Sequence, residues 1–406
     1  MNEPIQWVKN TIPPSDCAKS LVLMEEAEIE KAWCFHKSFP QYAPTPLADL
    51  RGLAADFGLG GIYVKDESYR FGLNAFKVLG GSFAMARFIA RTVGRDISEL
   101  GYDKLTSPDI KKELGDYTFF TATDGNHGRG VAWAANQIGQ KSVVYMPKGS
   151  SQTRLDNILK EGARASITEL NYDDAVRLAA AQSAQTPNSV VVQDTAWQGY
   201  EEIPGWIMQG YGTMVLEAVE QLRQQLGVRR PTHVFVQAGV GSLAGAVQGL
   251  FANLFPQSCP TTVIVEASAA DCLYRSAKRG DGVAVDVGGN LGTIMAGLAC
   301  GEANTISWQI LRNKGSFFVS LPDYAAAKGM RMLGAPLKGD PRVVSGESGA
   351  APAGLLAEIM LNPAYRDLRG AVGLDRDSRV LLFSTEGDTD PGQYRRIVWD
   401  GEYASI

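Results

Sequence analysis

Cysteine and histidine are scarce: five Cys, at 17, 34, 259, 272 and 300, and three His, at 36, 127 and 233, are spread over 406 residues. No two cysteines have metal-ligand spacing, and with only three histidines a dedicated His/Cys metal centre is not expected; an odd, scattered set of thiols is no disulfide framework. Spacing leaves open a redox bridge among Cys259, Cys272 and Cys300. No apolar run approaches the roughly 20 residues of a spanning helix. The opening MNEPIQWVKN lacks a charged-then-apolar signal segment, so a cytoplasmic, reducing location is the expected one. A basic block is missing too, and the net charge of -5 argues against a nucleic-acid surface, so neither a nucleic-acid nor a membrane partner is expected. The absence of short-period repeats and low-complexity tracts excludes a solenoid.

What is present is an ordinary globular composition, 45% hydrophobic and 20% charged, on a chain long enough for two packed domains. Glycine is plentiful, at 44 residues, and it punctuates short apolar runs. That pattern suits ligand loops at strand ends.

The organising stretch is Ser68 to Gly81, which carries Lys77. Ile62 and Val64 read as a strand, and Phe83, Ala84, Ala86, Phe88 and Ile89 have helical spacing, so Lys77 lies at or near a helix start. Phe76, Val78, Leu79 and the positive helix end all disfavour an ammonium. The expectation is a lysine that loses its proton more easily than a surface one, as imine formation with an aldehyde requires. A surface lysine opening a helix is the plain alternative.

Strands and helices then alternate. Strands are expected at Tyr117–Ala122, Lys141–Met146, Ala163–Ile167, Val190–Gln193, Thr232–Gln237, Thr262–Glu266 and Arg379–Ser384, with helices between them. This is the signature of mostly parallel sheets with helices on both faces, an α/β fold. Residues 95–189 read as a smaller α/β domain inserted into a larger one made of 1–94 and 190–406. The first 24 residues, with Pro13-Pro14, read as an arm, and Leu47 to Phe57 as a short helix.

Several loops follow strands. Ala238-Gly239-Val240-Gly241-Ser242-Leu243 opens a helix, where backbone N–H groups can hold a phosphate and small residues let it approach. No GxxxxGK[ST] element accompanies it, and the fuller dinucleotide form GxGxxG is missing. A tight helix-start turn without ligand is the structural alternative. Thr123-Asp124-Gly125-Asn126-His127-Gly128 offers an amide at Asn126 and a carboxylate at Asp124 that can accept a proton. Asp124 could equally cap a helix, and Asp194 could cap the turn before Trp197. Asp194 nonetheless lies at the carboxyl edge of a strand, where open α/β sheets gather ligands. The hydroxyls of Ser384 and Thr385 can meet a neutral pyridine nitrogen, or simply end a strand.

The combination of Asn74-Ala75-Phe76-Lys77, Thr123-Asp124-Gly125-Asn126-His127 and Ala238-Gly239-Val240-Gly241-Ser242, in that order, resembles the tryptophan synthase β and threonine dehydratase fold group of pyridoxal phosphate enzymes. Within that group the chain is most similar to the diaminopropionate ammonia-lyase family, over roughly Tyr42 to Glu386. Two features favour that family over its relatives. Asp124 precedes Gly125-Asn126-His127 where serine and threonine dehydratases usually have a serine-containing loop, and Gln193-Asp194-Thr195-Ala196-Trp197 stands at the return to the larger domain.

The resemblance implies fold type II, with two open twisted sheets covered by helices and an active site between a large and a small domain. It implies a homodimer and pyridoxal 5'-phosphate as cofactor. Lys77 would join the cofactor covalently; Asn126 would contact its ring, Gly239, Val240, Gly241, Ser242 and Leu243 its phosphate, and Ser384 and Thr385 its ring nitrogen. Thr123, Asp124, His127 and Asp194 are the expected substrate contacts. The implied reaction is α,β-elimination from 2,3-diaminopropionate. Lys77 takes the α-proton of the L substrate, Asp124 takes that of the D substrate, and Asp194 steadies the departing β-amine as its ammonium. Serine or threonine dehydration, or a non-catalytic cofactor-binding protein, is the alternative.

Overall fold

The structure, a computed structural model, describes residues 3–404. Its chain divides into two compact units: the chain up to residue 25, 45–69 and from 214 onward form one, and 26–44 with 70–213 form the other.

The first unit is built on a seven-stranded sheet. Its strands are β1 (Gln6–Lys9), β2 (Leu47–Asp49), β3 (Gly61–Asp66), β8 (His233–Gln237), β9 (Thr261–Ala267), β10 (Phe317–Leu321) and β11 (Arg379–Ser384), in the order β1-β10-β9-β8-β11-β3-β2. The five central strands are parallel, and both edge strands, β1 and β2, pair antiparallel. Every position of β3, β8 and β10 is buried. Strands covered on both faces read as continuous apolar runs, which is why β8, β9 and β11 are legible in the sequence. Full burial of a side chain such as Phe235 or Phe318 is worth about 2–3 kcal/mol each.

The second unit carries an all-parallel four-stranded sheet, β6-β5-β4-β7, made of β4 (Thr118–Ala122), β5 (Lys141–Met146), β6 (Arg164–Ile167) and β7 (Ser189–Val191). Helices α1 (Val78–Thr92), α2 (Asn126–Gln137), α3 (Tyr172–Ala184) and the first half of α4 (Glu202–Leu226) belong to it. The unit is wider than the 95–189 insertion expected, because α1 packs along α2 and so draws the Lys77 segment toward the small sheet.

Three short strands escaped the sequence reading. The expected N-terminal arm instead contributes β1 to a sheet edge, with Trp7 opposite Val319. The helix expected from Leu47 is split, with β2 first and a helix only over Arg51–Phe57, closed by Gly58. The third is β10, which lies between β1 and β9. None of the five cysteines is in a disulfide, and among the described residues no helix is long and apolar enough to cross a membrane.

Candidate active site

Lys77 occupies the N-cap position of α1, whose residues Leu79, Phe83 and Ala84 are fully buried. Its position is set by a close helix crossing. A Cβ on Gly130 of α2 would stand 2.8 Å from the Val78 backbone, so only glycine lets α2 approach the start of α1 this tightly.

The Lys77 ammonium does not stand in an apolar pocket, as its neighbours in sequence suggested. Its Nζ forms an ion pair with Asp194 Oδ2 and lies 5.5 and 5.9 Å from the ring centroids of Phe76 and Tyr211. Burial alone would lower the lysine pKa, but the fields of Asp194, Tyr211 and Asp124 outweigh it and hold the group well above its ordinary value. The expected easily deprotonated lysine is therefore corrected to a tightly held ammonium. A partner 117 residues along the chain reverses the sign that the local sequence gives.

Asp194 follows β7, and the Thr123–Gly128 loop follows the neighbouring β4, so both lie at the same carboxyl edge of the small sheet. Burial would raise the Asp194 carboxyl; the Lys77 ammonium outweighs it and pulls it down to about 2. His127 donates from Nε2 to the Val192 carbonyl at 2.8 Å, and its Nδ1 lies 3.9 Å from Asp194 Oδ2. Burial keeps this imidazole below its usual pKa, hence neutral.

Thr123 shapes the loop locally, where its Oγ1 accepts from the N–H groups of Gly125 and Gly128, at 2.9 and 3.0 Å. Asn126 is the first residue of α2. Asp124 is half-buried beside it and contributes to the field at Lys77. The other two histidines are fold residues, His36 bonded to Thr213 and the Leu79 carbonyl, and His233 to the Val372 carbonyl.

In the seven-stranded unit, the loops after β8 and β11 are neighbours because those strands pair. Gly241 takes φ +96° and hands over to helix α5 (Ser242–Leu254), so the amides of its first turn point into the loop. Asn304, fully buried, clamps this loop. Its Nδ2 donates to Ser242 Oγ at 2.9 Å and its backbone N–H to the Val240 carbonyl at 2.7 Å. At the end of β11, Ser384 donates to Ser345 Oγ at 2.8 Å, and Gln237 Nε2 donates to Thr385 Oγ1 at 2.7 Å.

A family model described as pyridoxal-phosphate dependent enzyme matches residues 39–367. The diaminopropionate ammonia-lyase of Salmonella typhimurium is 55% identical over 371 residues, 91% of each chain. That of Escherichia coli is 51% identical over 383 residues, 94% of each. A crystal structure of the Escherichia coli enzyme in complex with D-serine superposes with a TM-score of 0.91 at 48% identity, covering 99% of this chain and 98% of that one. The chain belongs to the diaminopropionate ammonia-lyase family of pyridoxal-phosphate dependent enzymes.

The residues fit such a cofactor. The start of α5 supplies the donor set that a phosphate needs, and it carries small residues where a phosphate must come close. Around the ends of β8 and β11, Gln237 Oε1 and Ser348 Oγ are buried without a hydrogen-bond partner, polar capacity that a bound heterocycle can use. Lys77 supplies the primary amine that pyridoxal-phosphate dependent enzymes require.

Of the residues expected from sequence, Lys77, Thr123, Asp124, Asn126, His127 and Asp194 all lie in the four-stranded unit. Gly239 to Leu243, Ser384 and Thr385 all lie in the seven-stranded unit. Sequence reasoning missed Gln193, Tyr172, Gln237, Ser345 and Asn304. Gln193 and Gln237 each end a strand run with a buried amide, an anomaly visible in the sequence. Nothing marks Ser345 or Asn304, because each is paired with a residue far away in the chain.

Proposed function

We propose that this diaminopropionate ammonia-lyase family member eliminates ammonia from 2,3-diaminopropionate, and that water hydrolyses the released product to pyruvate and a second ammonia. The observation that carries the reading is the buried, ionised Asp194 carboxylate paired with Lys77. An anion of this kind, shielded from water, selects a substrate bearing an additional cationic amine. When bound, pyridoxal phosphate supplies the electron sink that stabilises negative charge at the substrate α-carbon.

Lys77 would hold the cofactor covalently, the 239–243 loop its phosphate, and Ser384 or Thr385 its ring nitrogen, while Asn126 meets the ring. Once released, the Lys77 amine takes the α-proton of the L substrate. Asp124 takes that of the D substrate, because the two protons point to opposite faces and one base does not reach both. Asp194 then receives the β-amine as an ammonium and orients it for departure. His127, neutral and fixed on the Val192 carbonyl, holds the wall beside Asp194.

A homodimer, implied by the family resemblance, and a cytoplasmic location, the default expectation for the sequence, complete the reading, and light scattering on purified protein tests the oligomeric state. The decisive experiment is an absorption spectrum of the purified protein followed by pyruvate and ammonia assays on both diaminopropionate enantiomers and on serine. Visible absorption with faster turnover of diaminopropionate supports the reading. Preference for serine would assign a dehydratase, and bound cofactor without products would assign a binding protein.

A further inference from the structure

We propose that Gln193 is the positioning residue that aims Asp194, fixing one carboxylate oxygen against the protein so that the other is presented to an amine. The inference rests on the reading of Asp194 as the group that receives the substrate β-amine.

Gln193 is fully buried, and every face of its amide is engaged. Its Oε1 accepts from Thr121 Oγ1 at 2.9 Å and from the Ala122 N–H at 3.0 Å. Its Nε2 donates to Tyr172 OH at 2.9 Å and to Asp194 Oδ1 at 3.4 Å. The backbone N–H donates to Tyr200 OH at 2.9 Å, and that hydroxyl donates to the Val191 carbonyl.

The Ala122 N–H on Oε1 settles which way the amide points. A flipped amide would set its NH2 against that N–H and its oxygen against a carboxylate, so Nε2 must face Asp194. The carboxylate is thereby divided. Oδ1 meets Nε2 and, at 3.5 Å, the Tyr172 hydroxyl, while Oδ2 meets Lys77 and faces His127 Nδ1. Neutral donors hold one oxygen, and Lys77 addresses the other. Tyr200 and Tyr211 also feel the Asp194 charge, and Asp124 acts on the same Lys77 and His127. Through its two amide ends, Gln193 ties the end of β4 to this carboxylate.

Gln193→Glu tests the assignment. The variant keeps an acceptor toward Thr121 and Ala122 but puts a second carboxylate beside Asp194, and two buried carboxylates cannot both stay ionised. In holoenzyme, the acid limb of kcat/KM for diaminopropionate should move up by about 2 units. The preference for diaminopropionate over serine should fall about tenfold or more. In the cofactor-free full chain, the pH dependence of pyridoxal phosphate uptake by Lys77, followed by absorbance, should shift toward lower pH. Tyr172→Phe, which leaves the amide in place, should produce a smaller change of the same sign, and it carries the test if Q193E does not fold.

A folded Q193E with an unmoved acid limb and unmoved uptake profile overturns the proposal. So does an equal loss on both substrates accompanied only by a lower melting temperature, which would make Gln193 a structural residue. The wild-type substrate preference judges the reading of Asp194 separately, because the uptake profile reports its charge whichever amine it serves.

Discussion

Replacing Asp194 by Asn probes the pair on which the site turns. The substitution keeps an oxygen that can accept from Gln193 Nε2 and Tyr172 OH, and it removes the negative charge that Lys77 holds. Two unit charges about 4 Å apart at an effective dielectric near 20 interact by about 4 kcal/mol. Burial then acts on Lys77 with much less opposition, and its pKa should drop by about 2–3 units toward the ordinary lysine value. Cofactor uptake by the cofactor-free protein should accordingly reach its plateau at lower pH, read from the growth of visible absorbance. A charge-assisted hydrogen bond is worth about 1.5–3 kcal/mol, so kcat/KM for diaminopropionate should fall roughly 10- to 150-fold. Turnover of serine, which has no second amine, should suffer less. An uptake profile superimposable on wild type, with an unchanged ratio between the two substrates, would refute both the electrostatic account of Lys77 and the role given to Asp194.

Four further outcomes are expected. Lys77→Ala should abolish covalent cofactor attachment and turnover, and it should destabilise the fold by about 3–5 kcal/mol by leaving Asp194 buried without its cation, measured by chemical denaturation. Asp124→Asn should slow the D substrate more than the L substrate; equal loss on both would reject its assignment to one face. Gly130→Ala should cost about 1–3 kcal/mol and displace Lys77, because the new methyl meets the Val78 backbone at 2.8 Å. Acid should weaken the cofactor-free protein in a defined window. The Asp194 carboxyl ionises at about 2 when folded and near 3.8 when unfolded, so its contribution of about 2 kcal/mol is complete above pH 4 and disappears as pH falls through 2. An Asp194→Asn variant should lack that component of the denaturation profile.

Much of the α/β architecture is written locally. β5 and β11 begin and end where the sequence places them: β11, buried on both faces, is a short apolar run, and β5 is a short run of β-formers with alternate residues buried, ended by Pro147. Lys77 at a helix start, the glycine turn before α5 and the Thr123–Gly128 loop are local as well, fixed by helix periodicity and by the conformations that glycine permits. Edge strands β1 and β2 were not legible, because three or four residues of mixed polarity become a strand only when a neighbour supplies the hydrogen bonds. The charge state of Lys77 was read with the wrong sign for the same kind of reason. Its immediate neighbours are apolar, and the carboxylate that governs it enters from the end of another strand. Sequence, then, names the reactive groups and the elements that carry them. Only the tertiary structure decides which of them face one another, and in a buried site that proximity sets each group's proton affinity.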